Sequence, residues 1–192
     1  GIAYPEHALF WWQVGYCGVM FTVVFFMHFI NVFFNLKQEK IVIGTYLLGF
    51  IFLFFNWYDY SKYFIGNLRF VFNSFYWHDW IPNKNPFFLI FYILFYWILL
   101  GYSFLILVKN YKNSIGQKRI QMRYFLIGSI IGWSGAATHF LVVFHIDVYP
   151  YYNFLIAIYP VIFTYAIVRH QLMEIEVIIK RTLVFAGLLA SV

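Results

Sequence analysis

Two histidines, His28 and His139, lie inside long stretches that carry no Lys, Arg, Asp or Glu. Imidazole can ligate a metal, move a proton or hold a polar ligand, and a polar side chain away from water costs free energy until it finds a partner. Gly128, Gly132, Gly135 and His139 step by four, three and four residues, which puts them on one face of a helix. Small residues at that spacing let two backbones approach closely, so His139 should point at a neighbouring helix. Its role is then either an interhelical hydrogen bond or the reception of a ligand, proton or signal. His28 shares a stripe with Cys17, Phe21, Val24, Asn31 and Asn35 and reads as part of a polar patch near the end of its helix. A haem held by both histidines is excluded by depth, because the two lie about 18 Å apart along the membrane normal. The run Trp77-His78-Asp79-Trp80 is the other concentration of polar and aromatic groups. It reads either as headgroup anchoring or as a lid over a small apolar or lipid-like ligand.

The absences narrow the chemistry. No carboxylate lies inside the apolar runs, where a proton-coupled pump or an intramembrane metalloprotease would need one. No Lys lies mid-run to carry a Schiff base, and no Ser stands in a Gly-x-Ser-x-Gly setting. No catalytic residue, cofactor or metal ligand is assigned.

The elements that position these groups follow from the uncharged runs themselves. They fall between Glu6 and Lys37, Lys84 and Lys109, Arg123 and Asp147, and Asp147 and Arg169. Each is about 21 to 30 residues long, and about 20 apolar residues in a helix cross the ~30 Å hydrocarbon layer. Only 10% of the chain is charged, against about 25% in a soluble domain, so there is too little polar surface to coat a globule in water. The fold class is all-α, a polytopic transmembrane helix bundle with five complete spans plus the start of a sixth. The spans are residues 8–35, 41–57, 86–108, 124–146 and 151–168, with the sixth beginning near Thr182. Residues 58–85 form an outer loop and 169–181 a cytoplasmic linker, all in one membrane-embedded domain. Within the loop, Phe64 to Trp80 can form a β-hairpin or an interfacial helix. Because the chain starts just before one span and stops within another, it reads as a fragment of a longer protein or as a truncated open reading frame.

Ten of the thirteen basic residues fall in alternate connections: Lys37, Lys40, Lys109, Lys112, Lys118, Arg119, Arg123, Arg169, Lys180 and Arg181. The positive-inside rule makes that side cytoplasmic and leaves the N-terminus outside. The net charge of +6 is thereby explained by topology and by anionic lipid, with no nucleic-acid partner. Tyr and Trp cluster at the ends of the runs, among them Trp11, Trp12, Trp57, Tyr58 and Tyr149, as an aromatic belt does.

The last complete span and its exit read YPVIFTYAIVRHQLMEIEVIIKRTLVFAGLL. This resembles the N-terminal seven-transmembrane sensor region of bacterial histidine kinases, in Tyr165, Ala166, Ile167, Arg169, Leu172, Met173, Ile175, Lys180 and Arg181. Glu174 stands where the family usually has Asp. The opening run, with Phe10–Trp11 and His28–Phe29, looks like that family's third span. The resemblance implies a sensor of a two-component system in a bacterial cytoplasmic membrane. Arg169, Leu172, Met173, Glu174 and Ile175 would be its signal exit, although they can also be read as a charged inner loop. The resemblance further implies an output domain beyond Val192, through which the protein would form a homodimer. The phospho-acceptor and ATP-binding motifs of the kinase are absent from the sequence, so the chain shown is not an enzyme. The alternative reading is a fragment of a small transporter or of a membrane lipid-modifying enzyme.

Overall fold

The computed structural model describes residues 5–58, 62–81, 84–149 and 151–170, with side chains for 7–58, 62–81, 84–149 and 151–166. The elements are α1 (Pro5–Phe33), α2 (Glu39–Trp57), β1 (Asn67–Val71), β2 (Phe75–Asp79), α3 (Pro86–Asn113), α4 (Gly116–Val143) and α5 (Phe154–His170). The middle of α3, Tyr92–Leu99, is wound as a π-helix. Helices α1 to α4 are each long and apolar enough to cross a membrane, and the apolar helix Tyr151–Ala166 is shorter. The protein is therefore a helical membrane bundle that carries one β-hairpin. The expected start of a sixth span, near Thr182, lies outside the described residues.

Only Ser114 and Ile115 separate α3 from α4. The basic residues expected in a loop from Lys109 to Arg123 sit instead on the last turns of α3 and the first turns of α4. Lys and Arg are good helix formers, so a charge marks where hydrocarbon ends and not where a helix ends. The reversal uses Gly116 at φ +58°, a conformation that side chains resist.

The described chain forms two compact units. The first comprises the described residues up to Asn110 with Ala137–Tyr151, and the second Tyr111–Ala136 with the described residues from Tyr152 onward. Helix α4 begins in the second unit and ends in the first.

In the first unit, α2 buries Val42, Thr45, Gly49, Phe52 and Asn56, a stripe stepping by three and four. Its opposite face exposes Ile43, Leu47, Phe50 and Phe54. The buried stripe is the more polar of the two, as expected where lipid takes the place of water and helices meet through small and hydrogen-bonding residues. Gly49 admits the Phe21 ring to 3.5 Å from where a Cβ would stand. Gln13 and Asn56 clasp α1 to α2. Gln13 Nε2 donates to the Asn56 carbonyl at 3.0 Å, and Asn56 Nδ2 donates to the Gln13 carbonyl at 2.8 Å.

The hairpin pairs β1 with β2 antiparallel, from Asn67 opposite Asp79 to Val71 opposite Phe75. Aromatic and branched residues suit such a pleated surface. The turn takes Phe72 and Asn73 through positive φ, 54° and 51°. A phenylalanine pays for that conformation in steric strain, and here its ring packs against Tyr149 at 5.1 Å and Phe75 at 5.8 Å. Asn85 ties off the open end. Its Nδ2 donates to the Asp79 carbonyl at 3.0 Å and the Ile65 carbonyl at 3.2 Å, and its Oδ1 accepts from the Ile81 N–H at 2.9 Å. Gly66, at φ +72°, makes room for this, because a Cβ there would lie 2.9 Å from Asn85 Nδ2.

In the second unit, α4 packs on α5 through its glycines. A Cβ on Gly128 would meet Ile162 at 3.3 Å, one on Gly132 would meet Tyr159 at 3.0 Å, and one on Gly135 would meet the Tyr152 carbonyl at 2.8 Å. Phe125–Phe163 and Tyr124–Tyr165 ring contacts continue the seam.

Candidate functional site

Strand β2 lies against the first turns of α1, and Trp77, His78 and Asp79 are all buried. The Trp12 indole N–H donates to the Tyr76 carbonyl at 3.0 Å, which fixes the strand to the helix. One turn further along α1, the Tyr16 hydroxyl is hydrogen-bonded to His78 Nε2. The His78 ring is enclosed by Trp12 at 4.9 Å, Phe88 at 5.0 Å and Tyr16 at 5.1 Å. From α4, His139 enters the same cluster, 4.7 Å from Trp77, 5.2 Å from Trp12 and 6.2 Å from His78, measured between ring centres.

Three polar atoms in this cluster are buried with no hydrogen-bond partner among the described residues: Trp77 Nε1, His78 Nδ1 and His139 Nε2. Buried polar atoms are nearly always paired, with protein or with ordered water. Three such atoms among rings in mutual contact would each be satisfied by an ordered water or by a polar atom of a ligand. Burial pushes the His78 pKa well below its ordinary value, and the neighbouring His139 pushes it the same way. His78 is therefore a neutral imidazole at physiological pH.

Beside the cluster is a groove of about 510 Å³ between Ala8, Trp11, Trp12 and Gly15 of α1 and Phe75, Tyr76 and Trp77 of the hairpin, with Tyr149 at its side. Trp12 and Trp77 belong to both the groove wall and the histidine cluster. Nothing lies within 4 Å of where a Gly15 Cβ would stand.

A second set of contacts fastens the hairpin to the end of α4. Arg69 reaches from β1 to Asp147 through two N–H···O bonds, at 2.9 and 3.2 Å, and donates to the Val142 carbonyl at 3.2 Å. The Trp80 N–H donates to the Val143 carbonyl at 3.2 Å. The last carbonyls of a helix lack intrahelical partners and carry partial negative charge, and the hairpin supplies both a donor and a cation for them. Asp79 Oδ1 lies 3.1 Å from His145 Nε2 and 3.7 Å from Arg69 Nε.

The residues singled out in the sequence thus divide. His139, Trp77 and His78 meet in one cluster. Asp79 belongs to the ion group beside it, and Trp80 holds α4 through its backbone while its ring packs on Phe144 at 5.6 Å. His28 lies elsewhere, its Nδ1 hydrogen-bonded to the Tyr46 hydroxyl at 2.8 Å. Gly128, Gly132 and Gly135 are grouped with the second unit and His139 with the first, although all four stand on α4. Arg169 stands on the last turn of α5, and Leu172, Met173, Glu174 and Ile175 lie outside the described residues. Sequence reasoning passed over Tyr16, Arg69, Asn85 and His145, and gave Trp12 only an anchoring role. Trp12 and Tyr16 are four apart and share a helix face, but the spacing does not say that a strand will lie on that face. Among the described residues no group of three or more His, Cys, Asp or Glu is placed to hold a metal ion.

The family described as the N-terminal 7TM region of histidine kinase matches residues 2–176. The chain belongs to this family. The match takes in every described element, hairpin included. No curated protein and no solved structure matches the chain. As a histidine-kinase 7TM region it is a membrane-embedded sensory input region and not a catalytic one. The aromatic cluster, with its unpaired nitrogens, is then a candidate receptor and not a candidate active site.

Proposed function

We propose that this 7TM region receives a signal at the groove and histidine cluster under the hairpin and passes it to a cytoplasmic output domain of a two-component histidine kinase. The observation that carries this reading is His139, which brings α4 into the hairpin cluster. Helix α4 has residues in both compact units, 116–136 in the second and 137–143 in the first. A change at His139, Trp77 or His78 is therefore made at the helix whose earlier turns carry Gly128, Gly132 and Gly135 against α5. Close glycine packing has little slack, so a small turn of α4 has to be answered by α5. Helix α5 leads to Arg169 and onward to Leu172, Met173, Glu174 and Ile175, the signal exit. The charge bias between alternate connections supports a bacterial cytoplasmic membrane with the N-terminus of the chain and the hairpin outside. In this topology α5 is the fifth crossing and residues from Thr182 begin a sixth. The output domain would make the protein a homodimer, with membrane lipid as its other partner.

The test joins residues 1–192, in the membrane, to the dimerisation and catalytic core of a histidine kinase and measures autophosphorylation in vesicles. His139→Phe and Trp77→Phe should move the basal level several-fold. Gly132→Leu should remove that response while leaving the hairpin cluster folded. Equal autophosphorylation in all of these variants would rule out the sensory reading.

A further inference from the structure

The groove and its unpaired atoms define the chemistry of what can bind there. This inference deepens the site just proposed and rests on that proposal only for the signalling consequence. The volume, about 510 Å³, suits a small molecule. Among the described residues no charged side chain lines the groove, so an ionic head would lose its hydration without compensation. The walls are indole, phenol and phenyl rings, which pack best against a flat partner. Trp11 is 59% exposed at the rim, on the first turns of a membrane-crossing helix, where a molecule dissolved in the bilayer arrives.

The decisive atom is Trp77 Nε1. An indole N–H can only donate, and this one, on a residue that lines the groove, is buried with no acceptor among the described residues. It asks for an oxygen that arrives with the ligand. His78 Nδ1 and His139 Nε2 are also unpaired, and a neutral imidazole nitrogen can donate or accept, so the cluster can meet a second polar atom of either kind. We propose that the groove binds a neutral, membrane-partitioning carbonyl compound with a flat ring system, its ring against Trp12 and Trp77 and its oxygen accepting the Trp77 N–H.

The experiment uses the purified chain in lipid nanodiscs, with empty nanodiscs as the partition control, and equilibrium dialysis of two probes. One is 2-methyl-1,4-naphthoquinone and the other is 2-methylnaphthalene, alike in shape but without carbonyls. The expected result is saturable one-to-one binding, with the quinone about tenfold or more tighter, the scale of one well-made hydrogen bond. Trp77→Phe keeps a ring and loses the N–H, and should cut quinone affinity by about tenfold while leaving the hydrocarbon unchanged. Gly15→Leu grows into open space and should abolish binding of both probes, which keeps the test sound should Trp77→Phe fail to fold. Equal affinity for the two probes, absence of saturable binding, or quinone binding indifferent to a folded Trp77→Phe would each overturn the proposal. In the last case an ordered water already serves the indole. Saturable quinone binding with no effect on autophosphorylation would overturn the sensory reading and leave the ligand class standing. The reverse pattern would overturn the ligand class alone.

Discussion

Arg69 and Asp147, 78 positions apart, are joined by paired N–H···O bonds of 2.9 and 3.2 Å, and the same guanidinium caps α4 at the Val142 carbonyl. The hairpin is thereby part of how α4 ends. Hydrogen bonding to Arg69 holds the Asp147 carboxyl below the usual carboxylate range. A lowered folded pKa means that the pair contributes above about pH 4 and is lost as pH falls below it. Asp147 is exposed, so salt screens the pair. Asp147→Asn should therefore have a small effect that shrinks further in high salt. Arg69→Gln should do more, because it also uncaps α4. Amide exchange at Phe144, His145 and Ile146 will rank them, and equal protection in the two variants would show that the Val142 bond carries nothing.

His78 supplies the second pH dependence, of opposite origin. Its folded pKa is lowered by burial and by His139, so a hairpin released from α1 takes up the proton first. The hairpin contact should be fully stable above about pH 6.5. Below that it should weaken by up to about 1.4 kcal/mol per pH unit until the folded pKa is reached. Denaturant titrations followed by near-UV circular dichroism of the tryptophans, from pH 8 to 5, read this, and His78→Phe should flatten the pH dependence of the midpoint. An unfolding midpoint that does not fall between pH 6.5 and pH 5 would show that docking of the hairpin does not lower the His78 pKa.

Asn85→Ala removes the hydrogen-bond partner of three carbonyls, those of Phe64, Ile65 and Asp79, and of the Ile81 N–H at the base of the hairpin. Leaving such groups unsatisfied costs about 1–3 kcal/mol. Trp77 and His78 should then become accessible to solvent quenchers while α1 and α2 keep their helicity. Unchanged quenching would show that the hairpin is held from α1 and α4 alone.

Along the glycine seam the distances predict an order. Gly135→Ala places a Cβ 2.8 Å from a backbone oxygen that has little room to move, whereas Gly128→Ala meets a side-chain methyl at 3.3 Å. Overpacking costs about 1–3 kcal/mol where the neighbour cannot give. Gly135→Ala should lower the melting temperature in detergent clearly more than Gly128→Ala, and the reverse order would place α5 differently on α4.

The membrane class and the approximate helices were legible in the sequence because hydrocarbon demands long uncharged runs whatever the tertiary fold. The glycine face was legible for a similar reason, since helical geometry alone puts Gly128, Gly132 and Gly135 on one line. Helix ends were less so: Lys118, Arg119 and Arg123 mark a change of solvent, and α4 runs through them. His139 and the Trp77–Trp80 run could be picked out as candidates by residue type, but not joined, because nothing local says that residue 139 will touch residue 77. His28 drew equal notice and is hydrogen-bonded to Tyr46, a partner 18 positions away, outside the hairpin cluster.

The sequence by itself determined a helical membrane bundle of the histidine-kinase 7TM family, since span length, composition and motif spacing are properties of the linear chain. Only the tertiary structure decided that the connection after α2 folds as a β-hairpin against α1, that Arg69 and Trp80 complete the end of α4, and that three unpaired nitrogens gather beside an aromatic groove. Those are long-range contacts between side chains of ordinary local preference, and they come together only when packing of the whole first unit sets one strand on one helix.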